Sequence, residues 1–115
     1  METFTNTWSR HSVAAITVCN KKGEIIYMNE TSKRVFARYG EDLTGRSLYD
    51  CHNQQSADII TRLLSEGGSN VYTIEKNGIK KLIHQSSWLE EDGQIGGLTE
   101  ISMELPSQMP HFIRG

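Results

Sequence analysis

The chain has little of what would assign it to several large classes of protein. It carries two cysteines in 115 residues, Cys19 and Cys51. That is too few for a disulfide framework, and the spacing suits neither a metal knuckle nor a redox pair. No apolar run approaches the ~20 residues of a membrane-spanning helix, and residues 1–12 lack the apolar centre of a secretory leader. The 12 lysines and arginines are scattered along the chain and outnumbered by 14 acidic residues, for a net charge of −2. No basic footprint for nucleic acid results. A phosphate-cradling glycine loop, an internal repeat and a low-complexity tract are all missing. What remains is one domain, long enough for a real core and expected in the reducing setting of the cytoplasm, away from membranes.

What is present begins with a compact passage over residues 13–30. Residues 13–19 read as an apolar strand and 24–28 as a second, joined by Asn20-Lys21-Lys22-Gly23, whose glycine suits a positive φ in a hairpin turn. Asn29 then stops the second strand and can cap a helix, because its side-chain oxygen can accept from an orphan N–H of the first turn. The helical period runs to Tyr39, with Val35, Phe36 and Tyr39 on one face, and Gly40 closes it. Residues 41–48 are polar and broken by glycine, leaving room for a single turn. A stronger helix follows, capped by Asn53 or Ser56, carrying Ile59 with Leu63 and Ile60 with Leu64 as i,i+4 pairs, and ended by Gly67-Gly68.

The remainder reads as strands. Residues 71–76 and 79–89 flank Asn77-Gly78, a two-residue hairpin signal. Glu91-Asp92-Gly93 turns the chain into a last strand over 94–105. Gly96 and Gly97 inside that strand predict a bulge or a close backbone approach. At the other end, Phe4 and Trp8 would share one face of a short helix that must dock to bury it. Strands at both ends with helices between them predict an α+β fold, an antiparallel sheet of five strands covered on one face by helices.

This order resembles that of PAS domains, the small sensory and dimerisation modules of signalling proteins. The resemblance covers about residues 12–104. It is carried by the strand–turn–strand–Asn29–helix opening, by Phe36-Ala37-Arg38-Tyr39-Gly40-Glu41-Asp42-Leu43-Thr44-Gly45-Arg46-Ser47-Leu48, and by Asp92-Gly93 before the last strand. It divides the chain into an N-terminal cap segment (1–12), the PAS domain (13–105) and a C-terminal tail (106–115). It implies signal transduction or transcription regulation, in which a pocket ligand changes a homodimer and that change reaches an output domain or partner protein. A flavin photosensor is not expected, because the Asn-Cys-Arg-Phe-Leu-like motif of the light-sensing relatives is absent.

Tyr49-Asp50-Cys51-His52 resembles a PAS subgroup with a Cys-His pair before the long helix, which makes haem a candidate cofactor. His52 is the candidate ligand to its iron, since a neutral imidazole is a good axial ligand. The expected pocket lining is Ile16, Val18, Phe36, Leu48, Ile60, Leu64, Tyr72, Ile83 and Ile101, each of which would serve equally as ordinary core. His84 alternates with Leu82, Ser86 and Trp88 on one face of its strand. If that face lines the cavity, His84 and Trp88 would hold a planar or polar ligand; if it is the outer face, they form with Phe4 and Trp8 the candidate dimer surface, the preferred reading, because an exposed tryptophan is costly. Adjacent Cys51 and His52 point their side chains apart, and the aspartates fall at turns and helix starts. No catalytic constellation is therefore expected, and the chain reads as a non-enzyme. A PAS module with a filled core that only dimerises is the alternative.

Overall fold

The structure, a computed structural model, describes residues 4–40 and 42–115, with side chains described from Thr7 onward. Its first hairpin joins β1 (Ala15–Asn20) to β2 (Ile25–Met28). Asn20 closes the turn by accepting from the backbone N–H groups of Lys22 and Glu24 at 3.0 Å each, and Gly23 takes φ 84° there. The second hairpin, β3 (Ser69–Lys76) and β4 (Ile79–Leu89), turns on Asn77 and Gly78 with φ of 54° and 80°. Both positive values are what a tight turn matched to strand twist requires. With β5 (Ile95–Glu104) the strands form one antiparallel sheet in the order β2-β1-β5-β4-β3. The expected α+β architecture of five strands holds.

Three helices accompany the sheet: α1 (Phe4–Arg10), α2 (Glu30–Val35) and α3 (Gln54–Glu66). Asn29 and Asn53 cap α2 and α3 through acceptor bonds from Ser32 and Ser56, and Gly67 at φ 81° ends α3. The helix expected to reach Tyr39 breaks at Phe36 and continues as a 3-10 turn over Ala37–Tyr39. In that tighter turn residues three apart eclipse, so Phe36 and Tyr39 both pack on the core. Val35, expected on the same face, is exposed instead. The single turn expected over 41–48 forms later, as a 3-10 turn at Leu48–Cys51 capped by Ser47.

The sheet register decides which side chains meet. On the helix-covered face Cys19 sits opposite Leu98, and the core closes around them with Ile25, Met28, Leu43, Leu48, Ile60, Leu63 and Leu64. The opposite face carries Ile16, Val18, Ile101, His84 and Trp88 by strand alternation. There the register shifts between Trp88 and Leu89, skipping Gly96. A side chain on Gly96 or Gly97 would collide with the Trp88 indole, and at Gly97 also with the Cys19 carbonyl. The expected bulge and the expected close approach are thus one feature, made for Trp88. Its indole N–H donates to the Cys19 carbonyl at 3.0 Å. Among the described residues, no helix is long and apolar enough to cross a membrane.

Asn29 ties the N-terminal segment to this frame. Its Oδ1 accepts from the N–H groups of Ile16 and Ser32, and its Nδ2 donates to the carbonyls of Ser9 and Ala14, all between 2.8 and 3.0 Å. Those four bonds use the full capacity of the amide.

Candidate functional site

Antiparallel pairing sets Asn70, Gln85 and Glu100 directly opposite one another on β3, β4 and β5. Thr17 faces Glu100 from β1 and hydrogen-bonds the Ser32 hydroxyl. A polar row therefore crosses the helix-covered face of the sheet, where alternation alone calls for core residues. Gln85 is 1% exposed and Glu100 7%. Burial at that level demands partners. Gln85 donates its Nε2 to Glu100 Oε2 at 2.8 Å, and Asn70 donates its Nδ2 to Gln85 Oε1 at 3.1 Å.

His52 supplies the countercharge from the segment that leads into α3. Its Nε2 lies 3.3 Å from Glu100 Oε2 and its Nδ1 2.9 Å from the Leu48 carbonyl. A carbonyl oxygen and a carboxylate only accept, so the ring satisfies both when both nitrogens carry protons. Burial works against charge on His52, but the hydrogen bond and the charge of Glu100 outweigh it and hold its pKa above the ordinary value. For Glu100, burial pushes upward, and the His52 and Gln85 contacts outweigh that to hold its pKa below the usual carboxylate range. Below the raised His52 pKa the pair is an imidazolium–carboxylate beneath the helices.

Next to the row, between α3 and the β3–β4 hairpin, opens a cleft of about 330 Å³ lined by Gln55, Ser56, Ile59, Asn70, Tyr72 and Gln85. It is small for a ligand pocket, with apolar walls and a few convergent polar groups. On the far face, Ile16, Val18 and Ile101 line a separate groove of about 410 Å³ beside Trp8, Ile26 and Tyr27. Trp8 is 60% exposed.

The residues singled out from the sequence therefore scatter over three places. Leu48, Ile60 and Leu64 pack in the core with Phe36 against them, and Ile83 is buried on the helix-covered face. Of the expected lining, only Tyr72 borders the cleft. Ile16, Val18 and Ile101 cannot line a shared internal pocket, because alternation points them through the opposite face. His84 and Trp88 also lie on that face and are half-buried. The Trp88 indole finds its partner within the chain, so its polar edge asks nothing of a second subunit. The Phe4 side chain lies outside the described residues. Glu100, Gln85 and Asn70 were missed, although Gln85 and Glu100 interrupt apolar alternation within long strands.

Haem does not fit His52 as the structure presents it. An axial ligand needs a lone pair on a ring nitrogen, and both nitrogens here face acceptors. Turning the ring toward iron would strip Glu100 of its countercharge. Among the described residues no group of three His, Cys, Asp or Glu side chains could hold a metal ion. Cys51 is no activated nucleophile either. Burial above all raises its pKa, and the His52 Nδ1 turns to the Leu48 carbonyl.

Comparison with protein families matches residues 9–69 to the family described as the PAS fold. That is more than half of the chain, and the chain belongs to this family. No protein in a search of functionally curated proteins matches it. Solved structures agree on the fold. A C-terminal domain from Streptococcus mutans is 20% identical, with a TM-score of 0.68 over 87% of this chain and 81% of that one. A PAS domain from Colwellia psychrerythraea is 18% identical, with a TM-score of 0.66 over 90% and 96%. The Aer2 receptor from Vibrio cholerae, a dual PAS-heme oxygen sensor, is 12% identical, with a TM-score of 0.61 over 81% and 95%.

Proposed function

We propose that this PAS domain is a non-catalytic sensing module that binds a small molecule in the cleft between α3 and the β3–β4 hairpin. The observation that carries this reading is the polar row beneath the cleft. A buried ion pair and two amides are held there at a cost in desolvation that apolar side chains of similar volume would not carry. Ligand binding would be felt at Gln85 and passed to Glu100 and His52, and so to the segment leading into α3 and to β5. The outer face, with the groove beside Trp8, would carry the change to a second copy of the chain and on to an output domain or partner. A cytoplasmic setting suits such a module. A ligand shifts the arrangement only if it binds the two forms unequally.

A dimerisation module without a ligand is the second reading. It is favoured by the close-packed core around Leu48, Ile60 and Leu64 and by the exposure of Trp8 and Ile26. Native mass spectrometry of the purified chain separates the two. The sensing reading expects a dimer with an added small-molecule mass, which Tyr72→Ala loses while the dimer persists. Trp8→Ala should weaken the dimer and leave the adduct. A dimer bearing no adduct from any preparation would favour the second reading.

A further inference from the structure

The charge of Glu100 fixes the direction of every hydrogen bond between it and the cleft. A carboxylate only accepts, so Gln85 must present its NH2 group to it, as it does at 2.8 Å. That leaves the Gln85 carbonyl facing outward, where it accepts from the Asn70 NH2 at 3.1 Å. The Asn70 amide is thereby oriented too. One N–H of its NH2 is held by Gln85, which fixes the orientation of the amide, and its Oδ1, with no hydrogen-bond partner among the described residues, is the acceptor that the row offers at the cleft. An amide would otherwise flip freely to suit donor or acceptor; here the buried charge removes that freedom two residues away.

The rest of the lining narrows the ligand further. Gln55, Ser56, Ile59 and Tyr72 bring no formal charge at neutral pH, and among the described residues no lysine, arginine or carboxylate lines the cleft. The Glu100 charge is already met by His52 and Gln85. An anion would meet a carbonyl dipole with a carboxylate behind it and no cation. Ile59 and the flat Tyr72 ring supply the apolar part of the lining.

Building on the reading of this cleft as a ligand site, we propose that it selects a small, uncharged, planar molecule that donates an N–H or O–H hydrogen bond to Asn70 Oδ1. Primary and secondary amides, lactams and hydroxylated aromatic rings belong to this class. Carboxylates and fully N-alkylated amides do not. Discrimination follows from desolvation on binding: a ligand that covers Asn70 Oδ1 without a donor displaces its water and leaves the oriented acceptor unpaired.

Side-chain amide resonances of the 15N-labelled full chain test this, with benzamide, N,N-dimethylbenzamide and benzoate as probes. Benzamide should move the Asn70 and Gln85 resonances, with a Kd on the order of millimolar for so small a ligand. The other two should bind at least about tenfold more weakly. Asn70→Leu should abolish the benzamide response, monitored at Gln85, while its thermal midpoint stays close to that of the parent chain. Equal binding of benzoate or N,N-dimethylbenzamide at Asn70 and Gln85 would overturn the donor rule and leave the cleft as the ligand site. If all three probes leave those resonances unmoved, the class and the site both fall.

Discussion

Two buried amide clusters in this domain have similar chemistry and opposite logic. Around Asn29, every donor and acceptor is taken by the chain's own backbone, with Ser9, Ala14, Ile16 and Ser32 as partners. Along Asn70, Gln85 and Glu100 the bonds run in one direction, from a buried charge toward a cleft, and the last acceptor has no partner among the described residues. The first cluster is closed and holds the fold. The second is open at one end, and an open end beside a cavity is where a ligand can contribute what the chain does not. A buried polar residue is thus informative chiefly through whether its capacity is used up.

Breaking the closed cluster should have the largest effect. Asn29→Leu strands the backbone N–H groups of Ile16 and Ser32 and the Ala14 carbonyl, while the Ser9 carbonyl keeps its bond from the Ser12 N–H. At about 1–3 kcal/mol for each unmet group, the loss of about 3–9 kcal/mol is comparable with the whole stability of a domain of this size. We expect no cooperative thermal transition from that variant. Asn29→Asp keeps both acceptor bonds and loses both donors, so it should fold with a lowered midpoint. A near-parental midpoint for Asn29→Leu would show that the cluster is not the keystone its geometry indicates.

The open cluster should respond to His52→Leu by about 3–5 kcal/mol, because Glu100 is left charged and buried without its cation. The double variant His52→Leu/Glu100→Leu should recover much of that loss. Its pH dependence separates it further from the closed cluster. His52 has a raised folded pKa, so its contribution is complete below the unfolded value of about 6.5 and is lost as pH rises through the folded value. Glu100 has a lowered folded pKa, so its contribution is complete above about 4.3 and is lost as pH falls through the folded value. Urea unfolding should therefore show greatest stability in mildly acidic solution, with a decline on the alkaline side that the double variant lacks. An alkaline decline that survives in the double variant would place its origin elsewhere.

Of the closed cluster only the cap was legible in the sequence, because that signal is local, whereas its bonds to Ile16, Ala14 and Ser9 span 13, 15 and 20 residues. Asn29 ends an apolar strand and begins a helical period, and the same kind of reasoning placed Asn53, Gly23, Asn77-Gly78 and Gly67. The open cluster was not, because Asn70, Gln85 and Glu100 become neighbours only through a register spanning three strands. His52 stood out from the sequence for its chemistry, but its role is set by Glu100, 48 residues further on. Strand alternation separated the two faces within each strand without saying which one the helices cover. That is why Ile16, Val18 and Ile101 were grouped with residues from which the sheet divides them. Gly96 and Gly97 were recognisable as an anomaly, yet their cause, the Trp88 ring, could be seen only in the folded chain.

The smallest effect provides the internal standard for this comparison. Asn53 caps α3 with nearly the same backbone angles as Asn29, φ −76° and ψ 174° against −77° and 175°. It makes the same bond to the N–H three residues on, at 2.8 Å against 2.9 Å. Its site is exposed, so water can replace the cap once the side chain is gone. Asn53→Ala should accordingly cost about 1 kcal/mol, the ordinary value of an N-cap. Because Asp retains the cap, the loss in Asn29→Asp relative to the parent chain, set against the roughly 1 kcal/mol of the exposed cap, bounds from above what the two donor bonds to Ser9 and Ala14 add. If Asn29→Asp proves as stable as the parent chain, those donor bonds contribute nothing net, and the difference between a closed and an open cluster would have to rest on packing instead of hydrogen bonding.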